Sequence, residues 1–452
     1  MSTSKPPKIE ALLAIIQEQS TIIAALEARV KELEAEIARL RKDPPAGVAR
    51  AVPAFVKPNV KSIQPPAAKQ QRKPRSQSHG RRREPPTRVV VHAVEQCPDC
   101  GRQLAGGWVH RVRQVIEIPQ VAYEVIEHRM LRRHCGVCRK DHMARPDLTL
   151  EVVGRHRVGI RLMSLVVTLK KAHRMTVRGI KRLLFSLYGL RLSVGEIVDL
   201  LHAAAGRGRS QYEQLLAGIR KSPCVQADET SWRENGRNHW LWSFSTPDTR
   251  LFVEDKSRGH HVPKAVLGEE WSGVLASDFY SGYSFYLGAH QRCWVHFLRD
   301  LKELQEKHPD NRSLTRWATK VIRVWKDALR FRSEDRHKRL SARERFQDRL
   351  VALGEPYATA EVVYRLLAAR IMRFSNEMFT FVEHPYVPPD NNSAERAIRP
   401  AVIYRKVTGG SRSPNGSATT AVLLSLVGTW SLRSEDPIIA CSKMLQTSPH
   451  KS

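Results

Sequence analysis

Acidic residues are in short supply in this chain: 45 Asp and Glu stand against 75 Lys and Arg, a formal net charge of +30 over 452 residues. Such a chain attracts polyphosphates, because each neutralised phosphate releases condensed counterions. Long apolar runs are missing too. No stretch of about 18 uninterrupted apolar residues is present, which excludes a membrane-spanning helix, while 41% hydrophobic residues suffice for buried cores. A basic helix lying on a membrane surface is the competing use of the charge, and the one strong amphipathic helix has another explanation below. Cysteine is scarce. Of seven, Cys224, Cys293 and Cys441 show no paired spacing, and Cys293 reads as a small buried apolar residue. The chain opens with polar residues, Met1 to Lys8, and shows no secretory h-region, so a reducing compartment is expected and disulfides are disfavoured. The glycine-rich stretch Gly409–Gly416 lacks a following Gly-Lys-Ser/Thr, which excludes a Walker-type phosphate loop.

The other four cysteines form two pairs, Cys97-Pro-Asp-Cys100 and Cys135-Gly-Val-Cys138, with 34 residues between them. Two such knuckles supply four thiolates, a complete tetrahedral set for Zn2+. A closed set leaves no open position for chemistry, so the expected metal is structural. His134 and His142 stand close enough to replace a cysteine. Between the knuckles, Trp108 to Arg129 alternates apolar and polar residues, the period of strands, and a zinc ribbon is expected.

Ahead of this segment, Ile9, Ile16, Ile23, Val30 and Ile37 recur at one seam position, and Leu12, Leu26, Leu33 and Leu40 at the other, with Gln19 intruding. That 3.5-residue period predicts a parallel coiled-coil homodimer, in which Arg29 and Glu34 can pair across the interface. From Pro44 to Arg88 there are eleven Lys or Arg against Glu84 alone, a composition that cannot order itself and can follow a phosphate backbone. Downstream of the ribbon, helices are expected over Val158 to Ala172, from Thr176 to Gly189, and from Ser193, where Glu196 completes a capping box. Arg178, Lys181, Arg182 and Arg191 surround the turn between the last two. The order and the charge fit a helix-turn-helix reader of DNA, and they also fit three ordinary packed helices.

The candidate chemistry begins at Cys224-Val-Gln-Ala-Asp228-Glu-Thr-Ser-Trp232. Side chains alternate along a strand, so Asp228 and Thr230 share a face while Glu229 points away. His239–Ser245 and Arg250–Glu254 are expected as two antiparallel strands, and His261–Leu267 as a helix. Gly273–Ser277 is then a buried strand carrying Asp278 at its carboxyl end, where open α/β sheets bind ligands. Strand–strand–strand–helix–strand is the order of an RNase H-like sheet, in which Asp228 and Asp278 stand side by side. A third acid, Glu395, follows the helix start Pro388-Pro-Asp-Asn-Asn-Ser, with Asn391, Glu395 and Arg399 at i, i+4, i+8. Close carboxylates in a poorly solvated cleft need cations; two Mg2+ or Mn2+ ions about 4 Å apart relieve the repulsion and serve phosphodiester cleavage. A surface pair between Glu395 and Arg399 is the bland alternative. His296 reads either as a phosphate-binding neighbour of the acids or as part of a strand-to-helix junction built on Trp294. Arg396, Arg399, Arg405 and Lys406 can neutralise DNA phosphates. Asn311 to Leu350 carries thirteen Lys and Arg against five acids and reads as a helical insertion that clamps DNA, or as a solvated helix face.

Taken together, Ala-Asp228-Glu-Thr, Ser-Asp278-Phe-Tyr-Ser-Gly-Tyr, Gln291-Arg-Cys-Trp294-Val-His296 and Asp390-Asn-Asn-Ser-Ala-Glu395-Arg-Ala-Ile-Arg399 resemble a transposase of the insertion sequence 66 family, from the DDE group. The heptads, cysteine knuckles and helical segment follow in that family's order as well. The resemblance implies that Asp228, Asp278 and Glu395 are a metal-binding triad. It further implies DNA cleavage at element ends with strand transfer into target DNA, terminal inverted repeats as the DNA partner, two accessory element-encoded proteins, and residence with the nucleoid in a bacterial cytoplasm. A catalytically inactive zinc-ribbon DNA-binding regulator and a structure-specific nuclease without strand transfer are the rival functions. The expected architecture is multidomain α+β. It runs as a coiled-coil helix over 1–43, a basic linker over 44–88, a zinc ribbon over 89–150, helix-turn-helix-like helices over 151–210, an RNase H-like catalytic domain over 221–402 with a helical insertion over about 308–385, and a helical tail over 403–452.

Overall fold

The computed structural model describes residues 9–42, 84–118 and 121–447, and the chain divides into two units, Met1–Ile116 and Glu117–Ser452. In the first unit, α1 (Ile9–Lys42) is one continuous helix. At its described seam positions Ile23, Leu26, Val30 and Leu33 are exposed, Leu26 by 60%. Arg29 pairs with Glu32 on its own helix. The expected linker lies outside the described residues as far as residue 83. The first knuckle is a tight turn: Gly101 N–H donates to the Cys97 carbonyl at 2.9 Å, and Gly101 takes the left-handed φ of 71° that glycine tolerates.

The second unit opens with the other knuckle, a hairpin of β1 (Arg132–Cys135) and β2 (Lys140–Met143). The strands expected through 108–129 do not form as paired strands among the described residues. Alternation specifies a strand when one face is buried, and here Trp108 is 89% and Val125 79% exposed, so no described residue covers them.

Four helices follow, α2 (Ile160–Lys171), α3 (Val177–Tyr188), α4 (Val194–Arg207) and α5 (Arg209–Lys221). Their punctuation is local chemistry. Thr176 Oγ1 accepts from Gly179 N, Gly189 closes α3 in the left-handed region, and Ser193 with Glu196 makes a reciprocal capping box.

The sheet comprises β3 (Cys224–Glu234), β4 (Arg237–Ser245), β5 (Arg250–Asp255), β6 (Val274–Ser277) and β7 (His290–Arg292), in the order β5-β4-β3-β6-β7. β3 is antiparallel to β4 and parallel to β6, and α6 (His261–Leu267) links β5 to β6. Asn235-Gly236, both at positive φ, make the tight turn that the right-handed twist of a hairpin requires. This is a mixed α/β domain consistent with an RNase H-like core.

After the sheet, α7 (Trp294–Lys307), α8 (Arg312–Arg330), α9 (Arg336–Gly354), α10 (Arg365–Phe374) and α11 (Thr380–Glu383) enclose a core of their own around Trp294, Trp317, Val321, Phe346 and Phe379. That core starts at Trp294, earlier than the insertion boundary near 308 that charge composition suggested. The chain then returns to the sheet through α12 (Asn392–Thr408), α13 (Pro414–Leu432) and α14 (Pro437–Gln446).

The last two helices are more than a tail. Leu423, Val427 and Met444 share one core with Val166, Ile197 and Leu200 of α2 and α4 and with Val225 and Phe244 of the sheet. Along the edge strand β5, Ser425 Oγ accepts from Phe252 N at 2.8 Å, and Thr429 Oγ1 accepts from Arg250 N at 3.0 Å. Helical hydroxyls thus satisfy a strand edge that would otherwise remain open to pairing. We expect Leu423→Ala to lower unfolding free energy by about 2–5 kcal/mol, read from the urea midpoint; a loss below about 1 kcal/mol would contradict a central place for α13.

Candidate active site

Asp228 sits at the middle of β3, nearly buried. The β3–β6 register pairs Val225 with Leu275 and Gln226 with Ala276; continuing it two residues sets Asp278, just past the end of β6 at Ser277, level with Asp228. Adjacent strands lie about 4.8 Å apart. Each carboxylate is oriented by backbone: Asp228 Oδ1 accepts from Glu229 N at 2.8 Å and Asp278 Oδ1 from Tyr280 N at 2.9 Å.

Glu395 lies on α12, whose starting segment is fastened to β3. Asn391 Nδ2 donates to the Ala227 carbonyl at 2.7 Å, and Gln226 Nε2 donates to the Asp390 carbonyl at 3.0 Å. Trp294 N donates to the Pro389 carbonyl at 3.1 Å, and Asn391 N to Cys293 Sγ at 3.1 Å. Sequence alone places Asn391 within a helix start, four residues ahead of Glu395. In the structure its side chain makes no cap bond, being committed to β3, and Asp390 Oδ1 accepts from Asn392 N instead. From there α12 runs along β3, with Tyr404 stacked on Trp232. Glu395 faces His296 Nε2 at 3.5 Å and Arg299 at 3.7 Å rather than Arg399. Its Oε1 is buried and has no hydrogen-bond partner, and neither has Asn391 Oδ1.

The electrostatics follow from this crowding. Burial first, then the charges of Glu229, Asp278 and Glu395, push the Asp228 carboxyl up to about 8, against the pull of the Glu229 N–H. On the opposite face of β3 Glu229 has partners for its charge. Arg258 donates to it at 2.6 and 2.9 Å and Tyr283 Oη also donates to it, while the guanidinium lies 3.7 Å from the Tyr280 ring centre. A raised carboxyl, a buried carboxylate oxygen that makes no hydrogen bond and a set of carboxylate donors fit hard divalent cations such as Mg2+ or Mn2+.

The remaining site candidates divide. Arg178, Lys181 and Arg182 are exposed along α3, and Arg396, Arg399 and Lys406 are exposed on α12. Arg405 is turned inward, donating to Ser231 O and Oγ, so it braces α12 against β3. Its long side chain finds a nearer acceptor than solvent offers. Arg316, Lys320, Arg323 and Arg330 are exposed on α8. Of the knuckle cysteines, Cys97 and Cys100 belong to the first unit and Cys135 and Cys138 to the second. Cys138 Sγ lies 3.4 Å from His142 Nε2, while His134 turns to Asp141 at 2.9 Å. Backbone N–H groups of the knuckles, those of Cys100 and of Cys138 foremost, hold the Cys97 and Cys135 thiols below the ordinary value.

Sequence reading missed two features. Arg299 escaped because only folding brings it beside Glu395. The other is a cluster of Glu234, His239 and Glu254, whose ligand atoms all lie within 4.8 Å of one another and can hold a metal ion. The Asn235-Gly236 turn was the available signal, since it brings Glu234 back over β4. This cluster is not the acid triad: Glu234 is six residues along β3 from Asp228, roughly 20 Å at strand rise.

Comparisons with known proteins bear on this geometry. A model of the transposase IS66 family matches residues 155–419, which include all three acids. Among similar curated proteins are the uncharacterized proteins y4jO, y4qI and y4hP of Sinorhizobium fredii. They are 26% identical over 49% of this chain, 24% over 52% and 21% over 77%. The aligned parts span 67%, 49% and 70% of those proteins.

The Asp228 shift carries a pH dependence. Folded protein keeps a proton that unfolded chain has lost, so the stabilisation it brings is complete below pH 3.8 and is lost as pH rises toward about 8. We expect the melting temperature of cation-free protein to fall across that window, less steeply in Asp228→Asn, and Mg2+ to restore more of it at the alkaline end. Equal slopes in the two proteins would contradict the assignment.

Proposed function

The chain belongs to the transposase IS66 family, and from that membership we propose that it is a DDE transposase that cuts DNA at the ends of an insertion element and joins the freed 3′ hydroxyl to target DNA. The observation that carries this reading is geometric: the Asn391 side chain, one helical turn before Glu395, donates to the Ala227 carbonyl beside Asp228. Burial, then the charges of Glu229, Asp278 and Glu395, push that Asp228 carboxyl up to about 8. Asp228 feels two acids remote from it in sequence, and none of the three has a cationic partner as close as the one Arg258 offers Glu229.

Asp228, Asp278 and Glu395 would hold two divalent cations. Such a pair, when bound, activates an attacking oxygen and stabilises a leaving one in in-line phosphoryl displacement. The residues around it do the positioning. The Tyr280 and Glu229 amides fix the two aspartates, and Asn391 fixes the helix that carries Glu395. His296 and Arg299, beside Glu395, would hold a DNA phosphate, and the exposed cations of α12 and α8 would extend that attraction.

Other parts of the proposal rest on sequence pattern. Cys97, Cys100, Cys135 and Cys138 would bind structural Zn2+, with His142 as the neighbour able to substitute. The exposed seam of α1 suits a coiled-coil homodimer that holds two element ends together. Arg178, Lys181 and Arg182 on α3 would contact terminal inverted repeats in the manner of a helix-turn-helix reader. Accessory element-encoded proteins and residence at the bacterial nucleoid are part of the same proposal. Among the described residues no helix is long and apolar enough to cross a membrane.

The test is strand cleavage and joining by purified protein on oligonucleotides ending in the element's terminal repeat, with and without Mg2+. Loss of an outer-shell partner of a metal costs ~10–100-fold, so Asp228→Asn or Asp278→Asn should lose at least ~100-fold in cleavage while keeping DNA affinity. Cutting by Asp278→Asn at the normal rate would overturn the proposal. Cut products without joined ones would indicate a nuclease, and no Mg2+-dependent breaks a regulator.

A further inference from the structure

Arg292 ends β7 inside Gln291–His296, and its side chain is 0% exposed. A buried guanidinium is costly unless its donors are satisfied and its charge paired. Its partners are unusually concentrated. Nε donates to Glu377 Oε2 at 2.6 Å, NH1 to the Asp278 carbonyl at 2.8 Å and to Ser277 Oγ at 3.3 Å, and NH2 to Ser284 Oγ at 3.2 Å. All but the first lie on the turn that carries Asp278.

Glu377 comes from the short turn after α10, within the helical insertion. It also lies beside His290, which neighbours the same turn. His290 Nδ1 lies 3.3 Å from Glu377, and His290 Nε2 lies 2.9 Å from Ser277 Oγ. Ser277 Oγ in turn donates to the Asp278 carbonyl at 2.8 Å. The backbone of Asp278 is therefore held from behind by Arg292 while the Tyr280 amide aims its carboxylate from in front. A lysine could carry the charge but could not reach these acceptors in one plane.

We infer that Arg292 and Glu377 form a positioning pair for Asp278, through which packing of the helical insertion sets the placement of the second acid. The inference rests on the transposase reading of the three acids. Both residues act through the backbone that carries Asp278. Their effect is on where the Asp278 oxygens wait for a cation.

The experiment measures cleavage of terminal-repeat DNA against Mg2+ and Mn2+ concentration for wild type, Arg292→Lys, Glu377→Gln and Asp278→Asn, alongside melting temperature and DNA affinity. A misplaced ligand weakens cation binding, so the cation concentration for half-maximal cleavage should rise about tenfold or more in Arg292→Lys and Glu377→Gln. DNA affinity should stay within about twofold, because phosphate contacts are untouched. A plain structural brace would lower the melting temperature and the amount of active protein yet leave the cation midpoint where it was, and that result would overturn the inference. Should Arg292→Lys fail to fold, Glu377→Gln decides, since Glu377 is partly exposed. Asp278→Asn separates the two levels: if it cuts normally, the catalytic reading falls and this one with it. If it is inactive while both other variants keep the wild-type midpoint, only the positioning inference falls.

Discussion

The side-chain amide of Asn391 donates to the carbonyl of Ala227, the residue before Asp228, across 164 positions of sequence. That bond, with Gln226 reaching the Asp390 carbonyl and Trp294 N reaching that of Pro389, fastens the start of α12 to the centre of the sheet. Glu395 stands one helical turn beyond Asn391. An entire helical layer, from Trp294 to Glu383, can therefore be inserted between the second and third acids without carrying the third away. The insertion has its own core, while the sheet keeps α12.

Strand alternation does the other half of the work. On one face of β3, Glu229 is answered by Arg258 and Tyr283, so its burial is compensated. On the other, burial first and then the charges of Glu229, Asp278 and Glu395 push the Asp228 carboxyl up to about 8. A one-residue register slip would exchange these environments. The hairpin turn at Asn235-Gly236, the parallel pairing with β6 and the hydroxyl caps along β5 all fix that register. The stability invested in α13 and the strand edge thus holds the chemistry in place.

Much of this was legible in the sequence because it depends on local chemistry. Thr176, Gly189 and the Ser193–Glu196 box mark helix ends through bonds made within one turn. Asp228 and Asp278 were legible from strand parity and from the apolar run ending at Ser277. What sequence could not show depends on distant packing. Arg405 looked like a phosphate contact and instead braces β3. Asn391 was read only as part of a helix start, and its bond to Ala227 is made across the fold. Arg299, Arg292 and Glu377 acquire meaning only when the insertion folds against β7. The alternation over 108–129 led to an expectation of paired strands that the described residues do not form, because a period of two says nothing about whether a covering layer exists.

The most direct test is anomalous diffraction from crystals grown with Mn2+. The account predicts two anomalous peaks about 4 Å apart among Asp228, Asp278 and Glu395, both lost in Asp228→Asn. Manganese bound only at Glu234, His239 and Glu254, with the three acids empty, would contradict it.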